Sequence, residues 1–189
     1  MEELLILVNA HDRKLGCSPK LQAHRQGLLH RAFSIFIFDT HDRVLLQQRA
    51  LGKYHSQGLW TNACCGHPRN GERTLAAARR RLQEEMGLTC PLTKVSTLLY
   101  REPVTNQLIE HEFDHIFAGI SHADPVANPA EAQAWQWLSI ARVHQSVSAE
   151  PDKFSIWFRR LCEHNGPADL RRWQNLAMHR ERRFNDPSG

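Results

Sequence analysis

Five consecutive residues, Cys64-Cys65-Gly66-His67-Pro68, set two thiols, an imidazole and two backbone breakers side by side. A thiol can exchange a proton, and an imidazole can carry one or bind a metal. Directly downstream, charged residues recur at fixed intervals: Gly66-x5-Glu72-x7-Arg80-Arg81-Leu82-x-Glu84-Glu85-x-Gly87-Leu88. Carboxylates so spaced on a loop and a helix can hold a hard divalent ion, which in turn neutralises a diphosphate. A third group lies at Glu110, Glu112 and Asp114, alternating with His111, Phe113 and His115. In a strand this puts three acids on one face, where they repel each other unless a cation or basic groups lie between them.

The elements that must position these groups are readable from pattern. Pro68 and Gly71 punctuate a loop, and Arg73 to Met86 then reads as one helix stopped by Gly87. Leu75, Ala78, Leu82 and Met86 form its buried stripe. Helical geometry sets Arg81 and Glu85 along one flank of that stripe, with Arg80 and Glu84 on the other side and farther from it. In an extended segment neighbouring side chains diverge, so Cys64 and Cys65 cannot both face one pocket.

Elsewhere, Leu4 to Val8 is a β-rich run, His11-Asp12-Arg13 a turn, and Ser18 to His24 the start of a short helix or a loop. Ala32 to Phe38 and Val44 to Arg49 flank a polar turn at His41-Asp42 and read as a β-hairpin, with Arg49 on the face of Leu45 and Gln47. Gly52 to Gly58 is a loop; Val95 to Arg101, Ile109 to Ala118 and Ala134 to Leu138 are strands. Ser139 to Met178 is helical in pattern, broken near Gly166-Pro167. Strands and helices with mostly antiparallel connections predict an α+β fold.

The 189 residues, 41% of them hydrophobic, suffice for one core, and we expect one domain spanning 1–189 with a flexible tail from about 180. The net charge of +4 is mildly basic, and the basic cluster at 179–183 reads as a solvated tail rather than a nucleic-acid site. No stretch approaches transmembrane length. Five cysteines, an odd number, fit free thiols in a reducing cytoplasm, and twelve histidines invite metal chemistry.

The spacing from Gly66 to Leu88 is similar to the Nudix box, with Arg81 where the box has a glutamate. Trp60-Thr61-Asn62-x-x-Cys65-Gly66-His67-Pro68, Glu110-x-Glu112, Arg49-Ala50-Leu51-x-Lys53 and Phe154-Ser155-x-Trp157 narrow the likeness. With them the chain resembles, over residues 4 to 160, the type I isopentenyl-diphosphate Δ-isomerases, the Nudix branch that moves a double bond. The Arg81 departure fits that branch, which needs no hydrolytic glutamate there.

The resemblance implies a compact α+β domain with a deep pocket, and the reversible conversion of isopentenyl to dimethylallyl diphosphate in isoprene biosynthesis. A proton adds at the terminal alkene carbon, giving a tertiary carbocation-like state, and another leaves the allylic carbon on the other face. Two acid/base groups must therefore oppose each other. The resemblance gives these roles to Cys65 and Glu112, with Tyr100 helping to deliver a proton and Cys64 structural. It implies a divalent ion (Zn²⁺, Mn²⁺ or Mg²⁺) on His24, His30, His67, Glu110 and Glu112, and a Mg²⁺ held by Glu85 and the diphosphate oxygens. The gap from His24 to His30 is one residue shorter than the resemblance leads us to expect, so the link must close differently. Lys20, Arg49, Lys53 and Arg81 correspond to diphosphate-binding cations, although each alone also fits a solvated surface role. Trp157 corresponds to a pocket aromatic that steadies a carbocation, with plain core packing as the competing reading. His111 and His115 are left as core or surface. The implied partner is a small diphosphate, with no nucleic acid and no membrane, for a monomer or weak homodimer.

Two other functions use the same features. A Nudix pyrophosphohydrolase would use the helix carboxylates with Mg²⁺ but has no need of Cys65 opposite Glu112. A catalytically silent Nudix-fold binding module would be stabilised by ligand without turnover.

Overall fold

Among the described residues, nine strands form one curled sheet that carries the molecule. In chain order they are β1 (Leu4–Val8), β2 (Lys14–Pro19), β3 (His30–Phe38), β4 (Arg43–Arg49), β5 (Trp60–Asn62), β6 (Cys64–Gly66), β7 (Thr93–Pro103), β8 (Ile109–Ile120) and β9 (Ala132–Ser139). Helix α1 (Lys20–Gln26) precedes β3, α2 (Thr74–Met86) follows β6, and α3 (Ile140–Ala149), α4 (Ile156–His164) and α5 (Pro167–Asn185) close the chain. The structure is a computed structural model and describes residues 3–104 and 107–185. None of the described helices is long and apolar enough to cross a membrane.

The most buried strand, β3, is central for a sequence reason. Its HRAFSIFIF run is apolar on both faces, as a strand covered from both sides must be. Its alternation feeds two cores: Phe33, Ile35 and Ile37 meet α2, while Phe36 and Phe38 meet α4 and α5. Helix α2 presents Ala77, Ala78, Leu82 and Met86, with Leu75 partly buried beside them. Complete burial of Leu82 and Met86 contributes about 1.5–3 kcal/mol each. Gly87 ends the helix at φ 66°, where a Cβ would stand 2.8 Å from the Val126 carbonyl oxygen, so only glycine fits.

Several expectations need correction. The hairpin of β3 and β4 is joined only at Phe38↔Val44. Beyond that pair the strands part, because β6 takes the edge of β3 while β9 and β5 flank β4. The principal partner of β3 is β8, and it runs parallel. Strand β2 went unforeseen because KLGCSP lacks apolar alternation and is held by backbone pairing with β1. β5 and β6, three residues each, are too short for period to register. The C-terminal helical stretch breaks at 150–155 as well as at Gly166. Residues 180–185, expected in a tail, are the last turns of α5, and 186–189 lie outside the described residues. A register shift between Gln48 and Arg49 leaves Gln133 of β9 as the extra residue. Leu45 packs toward α2, whereas the Arg49 guanidinium lies 5.0 Å over the ring of Trp157, which belongs to the other core.

Candidate active site

One face of the sheet gathers most of the chemistry. In the parallel pairing His30 lies opposite Glu112 and Ala32 opposite Asp114, so the even residues of β8 share a face with His30. Helix α1 delivers His24 to the same place. The short link after it closes at Gly27, whose φ of 61° turns the chain in one residue and where a Cβ would stand only 3.1 Å from Arg101 Nη2 and 3.2 Å from the Ile109 side chain. The rings of His24 and His30 end 4.9 Å apart, and those of His30 and His67 5.0 Å apart. One donor atom from each of His24, His30, His67 and Glu112 falls within 4.8 Å of the others.

The tautomers follow from the second nitrogens. His24 Nδ1 donates to the Lys20 carbonyl and His30 Nδ1 to that of Leu28, both at 2.8 Å. Each neutral ring therefore keeps its lone pair on Nε2, the arrangement that suits a metal ligand. Both Nε2 atoms, and Glu110 Oε2, are buried without a hydrogen-bond partner. His24 Nε2 and Glu110 Oε2 lie 3.3 Å apart but lack hydrogen-bond alignment. Burial lowers the pKa of His24, yet the nearness and charge of Glu110 outweigh it and raise the value: the acid wants a positive charge there. Burial holds His67 down at about 4 against the pull of Glu112, leaving a neutral imidazole. His24, His30, His67 and Glu112 fit a divalent ion, whereas Glu110 is grouped with His24 and His55 and reaches the same place through its bare Oε2 beside His24.

The repulsion expected among the three acids of β8 is resolved in two ways. Burial would raise Glu110 and Glu112, but flanking histidines bring both below the ordinary carboxylate range. Asp114 has no histidine partner; burial and the charge of Glu112 push it well up, with Ser34 opposing.

Cys65 reaches this face from the other edge of β3, where it pairs with Ser34. It packs against the core under α4, while Cys64 is fully buried in the core under α2, so the two thiols diverge as alternation requires. Burial raises the Cys65 thiol well above its ordinary value, Arg49 opposing and Glu85 and Glu112 adding to the rise. Tyr100 lies directly opposite Glu112 in the β7–β8 pair and donates to its Oε2 at 2.6 Å, while His67 Nε2 contacts Oε1 at 3.0 Å.

A cavity of about 810 Å³ opens onto these residues. Of the expected set, Cys65, His67, Glu110, Glu112 and Trp157 line it, together with Lys20, Arg49, Lys53 and Arg81. His24, His30 and Tyr100 are buried behind the wall. Glu85 is also buried, with Oε1 taken by Arg81 Nη2 at 2.6 Å and Oε2 by Gln47 Nε2 at 3.1 Å. Of the basic set, Lys20 pairs with Glu3, Lys53 with Glu131, and Arg81 with Glu84, Glu85 and Glu131.

Among the lining residues missed from the sequence are Glu3, His55 and Glu131. His55 had a signal, sitting two residues after Lys53 in a histidine-rich chain. Glu3 and Glu131 had none, because single acids in polar segments look like surface.

A family model described as NUDIX domain matches residues 28–158. The chain is 53% identical over 177 residues to the isopentenyl-diphosphate Delta-isomerase of Serratia proteamaculans, covering 94% of this chain and 99% of that one. The enzyme of the same name from Burkholderia multivorans is 51% identical, over 92% of this chain and 98% of its own. Among solved structures, the DR0079 protein of Deinococcus radiodurans superimposes with a TM-score of 0.73 at 19% identity, covering 86% of this chain and 98% of that one. That likeness bears on fold alone, and agrees with a single α+β Nudix domain. The chain belongs to the NUDIX family and, within it, to the isopentenyl-diphosphate Delta-isomerases.

Proposed function

We propose that this enzyme interconverts isopentenyl and dimethylallyl diphosphate by exchanging protons between the substrate carbons and two groups, Cys65 on one side and Glu112 with Tyr100 on the other. The isomerisation accords with relatives of about 50% identity that carry that name over nearly their whole length. The single observation behind the residue roles is that Cys65 and Glu112 enter one cavity from opposite edges of β3. One group gives a proton as the other receives one, and the same pair runs the reaction in either direction. The surroundings that raise the Cys65 thiol favour its protonated form, ready to give a proton to carbon. Trp157, already carrying the Arg49 guanidinium on its ring, offers the π-surface for that charge.

His24, His30, His67, Glu110 and Glu112 would hold a divalent ion, Zn²⁺, Mn²⁺ or Mg²⁺, which supplies the positive charge that fixes the two carboxylates in their ionised form. Lys20, Arg49, Lys53 and Arg81 bind the diphosphate, and Glu85 would hold a Mg²⁺ that adds positive charge to neutralise it. The enzyme works in a reducing cytoplasm on a small molecule, as a monomer or weak homodimer without nucleic-acid or membrane partners; its five cysteines are free thiols.

The hydrolase reading loses ground on one observation. Glu72 and Glu84, two of the carboxylates such an enzyme would use, are engaged by Arg80 and Arg81. Incubation with isopentenyl diphosphate in heavy water separates the readings. We expect deuterium at both the new methyl carbon and the allylic carbon, without phosphate release. Phosphate or pyrophosphate release from a diphosphate panel with no deuterium in carbon would overturn the assignment.

A further inference from the structure

His55 lies outside the donor set above yet touches one of its members. It is 3% exposed, and its Nε2 stands 2.9 Å from Glu110 Oε1. The two oxygens of Glu110 therefore differ. Oε1 meets His55, whereas Oε2 points toward His24 and has no hydrogen-bond partner.

The protonation of His55 follows from that contact. A carboxylate only accepts, so His55 Nε2 must carry the hydrogen. Its Nδ1, 3.1 Å from Ser56 Oγ, then accepts from the hydroxyl in the neutral ring. A ring nitrogen that carries a proton has no lone pair to give. This is the reverse of His24 and His30, whose Nδ1 atoms donate to carbonyls and whose Nε2 atoms are left bare; His67, whose Nε2 likewise meets a carboxylate, differs from His55 in keeping a bare Nδ1. The ring is also held from the side: Tyr54 packs edge-on at 4.3 Å, Trp157 at 5.8 Å, and Arg49 Nη2 donates to the His55 carbonyl at 3.3 Å.

We propose that His55 is a positioning residue of the metal centre: it anchors Glu110 Oε1 so that Oε2 faces the cation site. The inference rests on reading His24, His30, His67, Glu110 and Glu112 as metal donors. Its chemistry is that of an outer-shell hydrogen bond, which orients a ligand and raises metal affinity without touching the ion. The competing geometry makes His55 a ligand itself, because His24, His55 and Glu110 also bring donor atoms within 4.8 Å of one another.

The test titrates Co²⁺ into the metal-free full chain against a chromophoric chelator and records the visible spectrum of the bound ion. Wild type is compared with His55→Ala, His55→Gln and Glu110→Gln, with folding checked by circular dichroism. We expect His55→Ala to weaken binding about 10- to 100-fold while leaving the cobalt band positions and intensities unchanged. His55→Gln, whose amide nitrogen can reach the place of Nε2, should recover most of the affinity. If His55→Ala folds poorly, His55→Asn takes its place, since its shorter amide cannot reach Glu110 and should show the same loss. Wild-type affinity in the Ala or Asn variant overturns the proposal. So does an altered cobalt spectrum that Gln fails to restore, which would make His55 a ligand. Wild type that binds no cobalt, or Glu110→Gln that binds it as tightly as wild type, overturns the donor-set reading and this proposal with it.

Discussion

At the sheet end of the cavity, His24 Nε2, His30 Nε2, His67 Nδ1 and Glu110 Oε2 are buried without partners, whereas at the helix end Lys20, Lys53 and Arg81 are already paired with acids. A buried polar atom left without a partner costs about 1–3 kcal/mol, so the first region carries a standing penalty that a cation would remove. Partly exposed ion pairs are worth about 0–1 kcal/mol each, so the second can trade Glu3 and Glu131 for a diphosphate at small cost. On the proposed reading, one region is shaped before its ligand arrives and the other would be assembled by exchanging partners.

The largest effect that could break this contrast is metal removal. Exhaustive chelation should abolish turnover, and a divalent ion should restore it. The metal should also raise the unfolding free energy, by about 2.7 kcal/mol at a hundredfold excess over Kd. Full turnover with metal content verified as nil, or no change in melting temperature on adding metal, would contradict a preformed cation site.

Next comes Arg81→Glu. It removes the counter-charge of Glu84, Glu85 and Glu131 and adds another anion beside them. Charge-assisted bonds of this kind are worth about 1.5–3 kcal/mol, so KM for isopentenyl diphosphate should rise roughly 10- to 100-fold. An unchanged KM would mean that Arg81 does not meet the substrate.

A smaller and opposite effect sharpens the exchange idea. Glu131→Gln frees Lys53 and Arg81 from one shared carboxylate. KM should fall by up to about fivefold, the equivalent of a modest exposed ion pair. A rise in KM would show that Glu131 holds the cations in place for the substrate rather than competing with it.

The smallest effect concerns the loop before α2. Hydrogen bonds from Arg80 lower the pKa of Glu72 below its ordinary 4.5. A carboxylate lowered on folding stabilises the protein above its unfolded pKa, and that contribution is lost as pH falls through the folded value. Glu72→Gln should therefore cost about 0.5–1 kcal/mol at neutral pH, and the gap from wild type should close below pH 4. A pH-independent difference would mean that the bond to Arg80 stabilises nothing.

Much of the contrast was legible in the sequence, for separable reasons. α2 was readable because its apolar stripe, its charged flank and Gly87 all agree. The acidic face of β8 was readable because strand alternation is strict, and the presence of His24, His30, Tyr100 and His67 around it followed from the resemblance. What pattern could not supply was partner choice. Nothing local says that β3 leaves its hairpin for a parallel neighbour, because that choice depends on β6 and β8, 30 to 80 residues away. The contact of the Arg49 guanidinium with the ring of Trp157 joins distant segments, which a period-two rule cannot see. The pairing of Lys53 and Arg81 with Glu131 joins segments that only the fold brings together. His55 was overlooked because its meaning lies in which oxygen of Glu110 it touches.

The central claim is that the two neighbouring thiols, alike in chemistry, differ because β6 turns Cys65 into the cavity and Cys64 into the α2 core. Turnover of Cys65→Ala and Cys64→Ala, measured side by side with folding and substrate affinity checked, tests it most directly. Cys65→Ala should lose about 10²–10⁴-fold in turnover while binding substrate normally. Cys64→Ala should keep near-normal turnover and lose about 1 kcal/mol of stability, the packing of one small buried group. Similar losses in both variants, or near-normal turnover of Cys65→Ser, would contradict proton transfer by the Cys65 thiol.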